Sequence, residues 1–492
     1  MEKTSNAVVF EEIRRNVAGI DLAWRADHYV CGPRGEDGEC EIASFGTTTP
    51  ELHRMVNWLL ERKVQSVAME STSVYWIPAT DLLESNGIEV VLVDPREVRM
   101  VPGRKSDVKD CQWLQKLHSC GLLRGAFRPP EAIAAVRSIL RERETLQAMR
   151  TQAIQQMQKS LDQMNIRVHH AVSDIDGKTG TAIVQAIVSG ERDPLKLASL
   201  RDKRCKKSEK QIADHLTGTW REEHLFNLGQ AFKTLQFLDE RLDEYEQKAQ
   251  TMLASLAEAA SSRQDSEQSP PPPPLPSKAD NDVETLAASA LSAEGAGSCD
   301  NVEESPPRSS KKVSEKELVY NVWQDIIERI MGFDITTIPG IGTNTARIII
   351  SELGTTFDRF PDERHFASYI GLAPALGKSA GKNISQKKHC KNTCRAGQVL
   401  RMAASTLYRS QSELGAYLRS VARRTDKKTA IKATARRIAH LIFRAVKYGK
   451  EYVDCGAEEY EARSRERTVR TVNRLIKSHN ISSSEISALT AS

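Results

Sequence analysis

Residues 261–312 divide this chain before any single element can be assigned. They hold five consecutive prolines, Pro270 to Pro274, then Pro276, many serines and alanines, and no aromatic residue. Such a stretch cannot bury enough apolar surface to offset the entropy of ordering it. Its proline run favours stiff polyproline II. The segment reads as a linker, either a tether between modules or a tolerated insertion. The chain has 492 residues, more than one ordinary core holds, so folded regions are expected on both flanks.

Composition narrows the class. Hydrophobic residues make up 39%, enough for globular cores. There is no run of about 18 apolar residues, so no transmembrane helix is expected. The start, Met1-Glu2-Lys3-Thr4, lacks the charged-then-apolar order of a signal peptide, which points to a cytosolic protein. Nine cysteines without framework spacing fit reduced thiols. His389, Cys390 and Cys394 form one cluster to compare with a metal site, but no second pair lies nearby to complete the ligand set.

The first 125 residues alternate strand and helix signals. Val17 to Ile20 is a short apolar strand ending at Asp21, and strand-like runs recur at His28–Cys31 and Glu41–Phe45. Leu52–Leu60 reads as a helix, Val64–Met69 as a strand ending at Glu70, Ile77–Leu83 as a helix, Glu89–Val93 as a strand and Asp107–Leu117 as a helix. This order implies an α/β sheet covered by helices. Residues 131–260 are largely helical. Ile154, Met157, Leu161 and Met164 repeat at three-four spacing. Leu228, Ala231, Leu235, Leu238, Leu242, Tyr245, Ala249, Met252 and Leu256 do so over a longer span. That stripe predicts a coiled coil or a long antiparallel helical hairpin, with the partner helix in this chain or in another.

Asp21 and Glu70 close two predicted strands, and ligands of α/β sheets bind at that edge. Asp107 and Asp110 lie three apart on a predicted helix and so share a face. Singly, each acid is also an ordinary turn or helix-start residue. Together, four converging carboxylates repel one another and raise each other's pKa. Mg²⁺ or Mn²⁺, which favour carboxylate oxygen, would remove that cost. Two such ions about 4 Å apart can stabilise the attacking and leaving oxygens of phosphodiester chemistry.

The C-terminal half points to a polyanion. From Leu376 to Lys450 there are 19 Lys and Arg against Glu413 and Asp426, a net +17. A solvated surface normally mixes signs, whereas phosphates would neutralise this density. Ile338-Pro339-Gly340-Ile341-Gly342 precedes a helical run, Thr345–Leu353. It resembles the hairpin of a helix-hairpin-helix motif, in which Gly340 and Gly342 would let backbone N–H groups approach a phosphate. The alternative is a glycine turn between core helices. Further on, Lys378-Ser379-Ala380-Gly381-Lys382 is a Gly/Lys-rich loop in which a serine is ordinarily just a loop residue. Lys378 and Lys382 suit a phosphate. Arg395, Arg401, Arg423, Arg424, Lys427, Lys428, Lys432, Arg436 and Arg437 read as phosphate contacts that position nucleic acid without specifying sequence.

Three segments, Ala18–Asp21, Ala68–Trp76 (AMESTSVYW) and Pro102–Leu114 (PGRKSDVKDCQWL), resemble the DEDD transposases of the insertion sequence 110 family. The resemblance covers nearly the whole chain outside the linker. It implies a RuvC/RNase H-like α/β catalytic domain (1–128), a helical coiled-coil region (129–260), the linker (261–312), and a mainly α C-terminal transposase domain with a helix-hairpin-helix (313–460). A basic tail (461–492) would follow. It also implies that Asp21, Glu70, Asp107 and Asp110 bind Mg²⁺ or Mn²⁺, and that Ser379 attacks DNA to form a phosphoserine link, with Ser385 as the fallback. The partners it implies are donor and target DNA, an element-encoded bridge RNA, and other copies of the chain in a tetramer whose composite site forms between protomers. A nucleoid-associated protein of a bacterial or archaeal cytoplasm would follow. Two positions depart from the family pattern: Ser73 stands where glycine is commoner, and Ala380 interrupts a usual Ser-Gly-Gly. Two other readings stand beside this one. A junction resolvase would use the same acids with water as the nucleophile, and a nucleic-acid-binding regulator would use them only structurally.

Overall fold

The computed structural model describes residues 11–23, 26–35, 38–71, 74–95, 107–205, 207–264, 315–373, 377–379, 382–384, 394–449 and 454–478. Ser73, Ala380, Ser385, His389, Cys390 and the linker beyond residue 264 lie outside the described residues. Asp107, Lys378, Ser379 and Lys382 are described in their backbone only. The chain divides into two compact units, Met1–Arg128 and Pro129–Ser492.

The first unit is an α/β domain. Its strands are β1 (Val17–Asp21), β2 (His28–Arg34), β3 (Cys40–Phe45), β4 (Ser66–Glu70) and β5 (Glu89–Val93), ordered β3-β2-β1-β4-β5. β2 is antiparallel to β1 and β3, whereas β4 is parallel to both β1 and β5. The mixed order and its helices are consistent with a RuvC-like fold. Helix α1 (Thr49–Glu61) starts with a proline in its first turn and buries Leu52, Met55, Val56 and Leu59, one helical stripe. With α2 (Trp76–Ser85) it covers one sheet face, where Ala18, Ile20, Val67, Met69 and Leu92 form the core.

Alternation along the strands sends Gly19, Asp21, Ser66 and Glu70 to the opposite face. That face is covered by α3 (Asp107–Ser119), whose Leu114 packs with Val91 and Val93. Gly19 sets how closely the helix lies. A Cβ there would sit 2.3 Å from the carbonyl oxygen of Cys111 and 2.4 Å from the amide nitrogen of Gln115, backbone atoms with nowhere to go. The helix runs antiparallel to β1 and β4. At its C-terminal end, His118 Nε2 meets Ser66 Oγ at 2.9 Å, and the carbonyl of Ser119 accepts from the amides of Ile13 and Arg14. Its N-terminal turn therefore lies at the carboxyl edge of the parallel strands.

The second unit is almost wholly helical. Its backbone is a pair of long helices, α4 (Glu131–Gln163) and α9 (Glu222–Gln264). Ion pairs Arg143–Glu246 at 2.6 Å and Arg150–Asp239 at 2.5 Å show that they run antiparallel within one chain. Leu228, Ala231, Leu235, Leu238, Leu242 and Ala249 are buried as the stripe predicts. Beyond them the strict heptad is lost: Leu253 and Ala257 enter the core, while Met252 and Leu256 lie at its rim. An α-helix has 3.6 residues per turn, so a stripe repeating every 3.5 drifts across its face. Four short helices, α5 (Val168–Ala171), α6 (Lys178–Val188), α7 (Pro194–Ser199) and α8 (Glu209–His215), close the connecting end of the pair around a core with Met157, Leu161 and Phe232.

The other end of the pair joins the C-terminal helices. These are α10 (Glu315–Met331), α11 (Thr343–Leu353), α12 (Glu363–Tyr369), α13 (Arg395–Thr406), α14 (Glu413–Arg424), α15 (Lys427–Tyr448) and α16 (Gly456–Ser478). Ile133, Leu140, Leu253 and Ala257 share one core with Trp323, Ile350, Phe366 and Phe443. Arg137 donates to the Ser351 carbonyl at 2.7 Å, and Arg141 forms a two-pronged pair with Glu352. The regions expected as 129–260 and 313–460 thus pack as one body. Residues 456–478, where a basic tail was expected from 461, form a helix. Among the described residues, no helix is long and apolar enough to cross a membrane.

Candidate active site

The parallel register of β1 and β4 pairs Val17 with Ser66 and Ile20 with Met69. The next residues, Asp21 and Glu70, therefore end the two strands side by side on the face covered by α3. Both are half-buried. The edge is fixed on each flank. After Glu70, the amide and hydroxyl of Ser71 both donate to the Val93 carbonyl, at 3.0 and 3.1 Å. After Asp21, the Ala23 amide donates to Nδ1 of His28 at 3.1 Å, and burial lowers the pKa of that imidazole against the pull of Asp27.

Asp110 arrives from α3 on the turn that Gly19 allows to lie against β1. Cys111 records how near the acids are. Its buried thiol is pushed up to about 12, first by desolvation and next by the negative field of Asp21, with Asp110 adding to it. Two carboxylates from different elements thus bear on one sulfur. The Oδ1 atom of Asp110 is itself shielded from solvent. The fourth predicted acid, Asp107, is the first residue of α3, one turn before Asp110. Sequence reading did not single out three residues at this edge. Gly19 and Cys111 form the packing contact, and Asp94, immediately after β5, brings a further carboxylate to the same edge. The signal for Asp94 is the apolar strand that ends one residue earlier, at Val93.

This donor set, hard carboxylate oxygens at a half-buried sheet edge, fits a Mg²⁺-like cation. Among the described residues, no three His, Cys, Asp or Glu side chains are already gathered closely enough to hold a metal. The zinc cluster considered at His389, Cys390 and Cys394 is described only at Cys394, which packs against the helical core.

Ser379 belongs to the second unit. It ends β6 (Gly377–Ser379), which pairs antiparallel with β7 (Lys382–Ile384), placing Ser379 opposite Lys382 and Lys378 opposite Asn383. The backbone thus brings the predicted serine and one predicted lysine into register across the strand pair. Gly340 and Gly342 lie in the connection between α10 and α11, both exposed. Gly340 has φ +89, and a Cβ there would press on the Ala403 carbonyl at 2.9 Å. Gly342 precedes the first turn of α11 without any side-chain cap.

Two family models match these two parts. Residues 18–166 match the model of the DEDD transposases of IS110, described as Transposase, and residues 334–419 match the Transposase IS116/IS110/IS902 family. The two matches together support an IS110-family transposase. A comparison with curated proteins finds no match. The first match spans all four acids and the second spans Gly340, Gly342 and Ser379. These matches support a transposase or recombinase role, and a DEDD domain suggests dependence on a divalent metal.

The basic residues of this transposase fall into two groups. Arg423 and Arg424 end α14, Lys427 and Lys428 begin α15, and all four are exposed. Asp426 between them caps α15, accepting from the Lys428 and Thr429 amides at 2.8 and 3.0 Å; hydrogen bonds from Thr429 lower its pKa. Two lysines at a helix N-terminus oppose the helix dipole. Their placement does nothing for the helix and leaves them available to an anion. The second group is engaged within the unit. Arg395 pairs with Glu144 and lies 3.9 Å from Glu352, while Arg437 pairs with Glu413 and lies 4.9 Å over the Tyr417 ring. Arg401, Lys432 and Arg436 are half-buried.

Proposed function

We propose that this transposase cuts and rejoins DNA through Ser379, with Asp21, Glu70, Asp107 and Asp110 holding one or two divalent cations at the reacting phosphate. The observation that carries the metal half is the register of β1 and β4, which sets Asp21 beside Glu70 on the face where α3 delivers Asp110. The serine half rests on the family resemblance and on the pairing of Ser379 with Lys382.

In the step proposed, the Ser379 oxygen bonds to phosphorus as one phosphorus–sugar oxygen bond breaks. The serine gives up its proton to solvent, and the released sugar oxygen keeps the electron pair and takes a proton to become a hydroxyl. Rejoining reverses this sequence: a sugar hydroxyl attacks the phosphoserine and frees the serine, so the ester bond is conserved. Lys378 and Lys382 would neutralise charge on the non-bridging oxygens. A bound Mg²⁺ or Mn²⁺ would supply Lewis-acid stabilisation of the developing charge. The carboxylates' own task is to fix that charge at the sheet edge, and Gly19 keeps α3 close enough for them to do so.

Arg423, Arg424, Lys427 and Lys428 would hold the phosphate backbone, and Gly340, Gly342 and the first turn of α11 would act as a helix-hairpin-helix contact. The resemblance extends the proposal to a bridge RNA that selects donor and target by base pairing and to a tetramer. A basic surface without base-reading geometry suits that division of labour. A water-using resolvase is the reading that the acids alone would support. A recombination assay in cells, with a plasmid carrying the element, its ends and its RNA, separates the two. Under this proposal Asp21→Asn and Ser379→Ala both abolish joined product; recombination at the wild-type level in Ser379→Ala would leave only the resolvase.

A further inference from the structure

A pocket of about 340 Å³ opens beside the four exposed cations, lined by Tyr408, Arg419, Ala422 and Arg423. Arg419, Ala422 and Arg423 stand three and four apart on α14 and so share a face. Tyr408 comes from the single helical turn Leu407–Arg409 that follows α13. The turn is pinned: Arg419 donates to the Ser410 carbonyl at 2.6 Å and to the Tyr408 carbonyl at 3.3 Å. Buried Leu407 anchors it in the core, yet Tyr408 itself is 44% exposed. The Lys427 ammonium lies 5.2 Å from the centre of its ring. Part of the ring is therefore open to solvent beside a cation.

We propose that this pocket receives the base of one unpaired nucleotide, stacked on Tyr408, with Arg423 and Lys427 at the flanking phosphates. The inference rests on the nucleic-acid-binding reading above and adds a strand state to it. The volume is near the lower end of small-ligand pockets, about 300–1,000 Å³, and suits one planar group. The chemistry fits a base, since every base offers a π-face and aromatic side chains bind it without regard to sequence. Guanidinium and ammonium groups within reach of the ring neutralise the backbone that carries it.

The test uses the full chain and three labelled oligonucleotides of one length: single-stranded DNA, single-stranded RNA and duplex DNA. A 2-aminopurine in each single strand reports stacking by loss of fluorescence. Tyr408→Ala should weaken single-strand binding about 5- to 100-fold and abolish the fluorescence change, while duplex binding stays within about twofold. Tyr408→Phe should bind as wild type, because the ring face and not the hydroxyl does the work. The comparison of the DNA and RNA strands tells which source supplies the nucleotide. Unchanged single-strand binding by Tyr408→Ala overturns the proposal and leaves the nucleic-acid reading intact. Equal losses in Tyr408→Phe and Tyr408→Ala would also overturn it, by assigning the hydroxyl. A wild type that binds none of the three would sink both readings.

Discussion

The acid edge of the first unit and the serine hairpin of the second are built in opposite ways. Asp21, Glu70 and Asp110 stand on two parallel strands and a helix, each locked by core packing on at least one side. Ser379 stands on a strand of three residues paired with another of three. Regular elements with a shared core position groups through many small contacts, whereas an isolated two-stranded hairpin is marginal alone. The acids stand on elements able to hold repelling charges in place, whereas Ser379 stands on a minimal strand pair.

Substitutions at the chemical groups should break this comparison with the largest effects. Asp21→Asn or Glu70→Gln is expected to lower strand joining by at least about a thousandfold while duplex affinity changes less than about threefold, measured by recombination yield beside filter binding. Ser379→Ala should lower joining as far but leave Mn²⁺ binding by calorimetry unchanged, because the proposed cation ligands all lie in the first unit. Gly19→Ala comes next. The added methyl must displace the α3 backbone at Cys111 and Gln115, at a cost of about 1–3 kcal/mol or more, seen as a lower melting midpoint together with lost activity. The equivalent addition at Gly342, which meets nothing within 4 Å, should leave the midpoint within about 1 °C.

Acid should then act on the first unit through His118. Burial, aided by the charge of Arg14, holds its imidazole down at about 4, against 6.5 when exposed. The unfolded chain therefore takes up the proton first. The stabilisation is fully present above pH 6.5 and is lost as pH falls towards 4, by at most about 3 kcal/mol. His118→Gln should flatten the fall in melting midpoint over that window. The smallest effect belongs to the basic surface. Replacing Arg423, Arg424, Lys427 and Lys428 one at a time by alanine should each reduce the log–log salt slope of duplex binding by about 0.9, without changing sequence preference. Arg395→Ala and Arg437→Ala should instead lower stability, since their partners Glu144 and Glu413 lie in the same unit.

The same contrast governs what could be read from the sequence. The described strands and helices of the first unit were legible from hydrophobic period, and Asp21 and Glu70 sit where two apolar strands end. The antiparallel helix pair was legible as one of two options, and only the Arg143–Glu246 and Arg150–Asp239 pairs settle the partner. Gly19 was read as part of a motif and not as the contact that seats α3, because close approach by a helix far along the chain leaves no local pattern. Charge count alone made Arg395 and Arg437 look like Arg423 and Arg424. Their acidic partners are Glu144, distant in sequence, and Glu413, at the start of α14. Tyr408 was invisible for the same reason: a pocket between a turn and a helix face has no sequence signature.

The proposed reaction needs both Asp21 and Ser379 before DNA can be joined to protein. The most direct measurement incubates the full chain with the element's junction DNA, its RNA and Mg²⁺, denatures the mixture, and looks for DNA covalently attached to protein. Wild type should give the adduct, and Ser379→Ala and Asp21→Asn should each give none. An adduct that persists in Ser379→Ala would contradict the nucleophile, and one formed at the wild-type level by Asp21→Asn would contradict the need for Asp21.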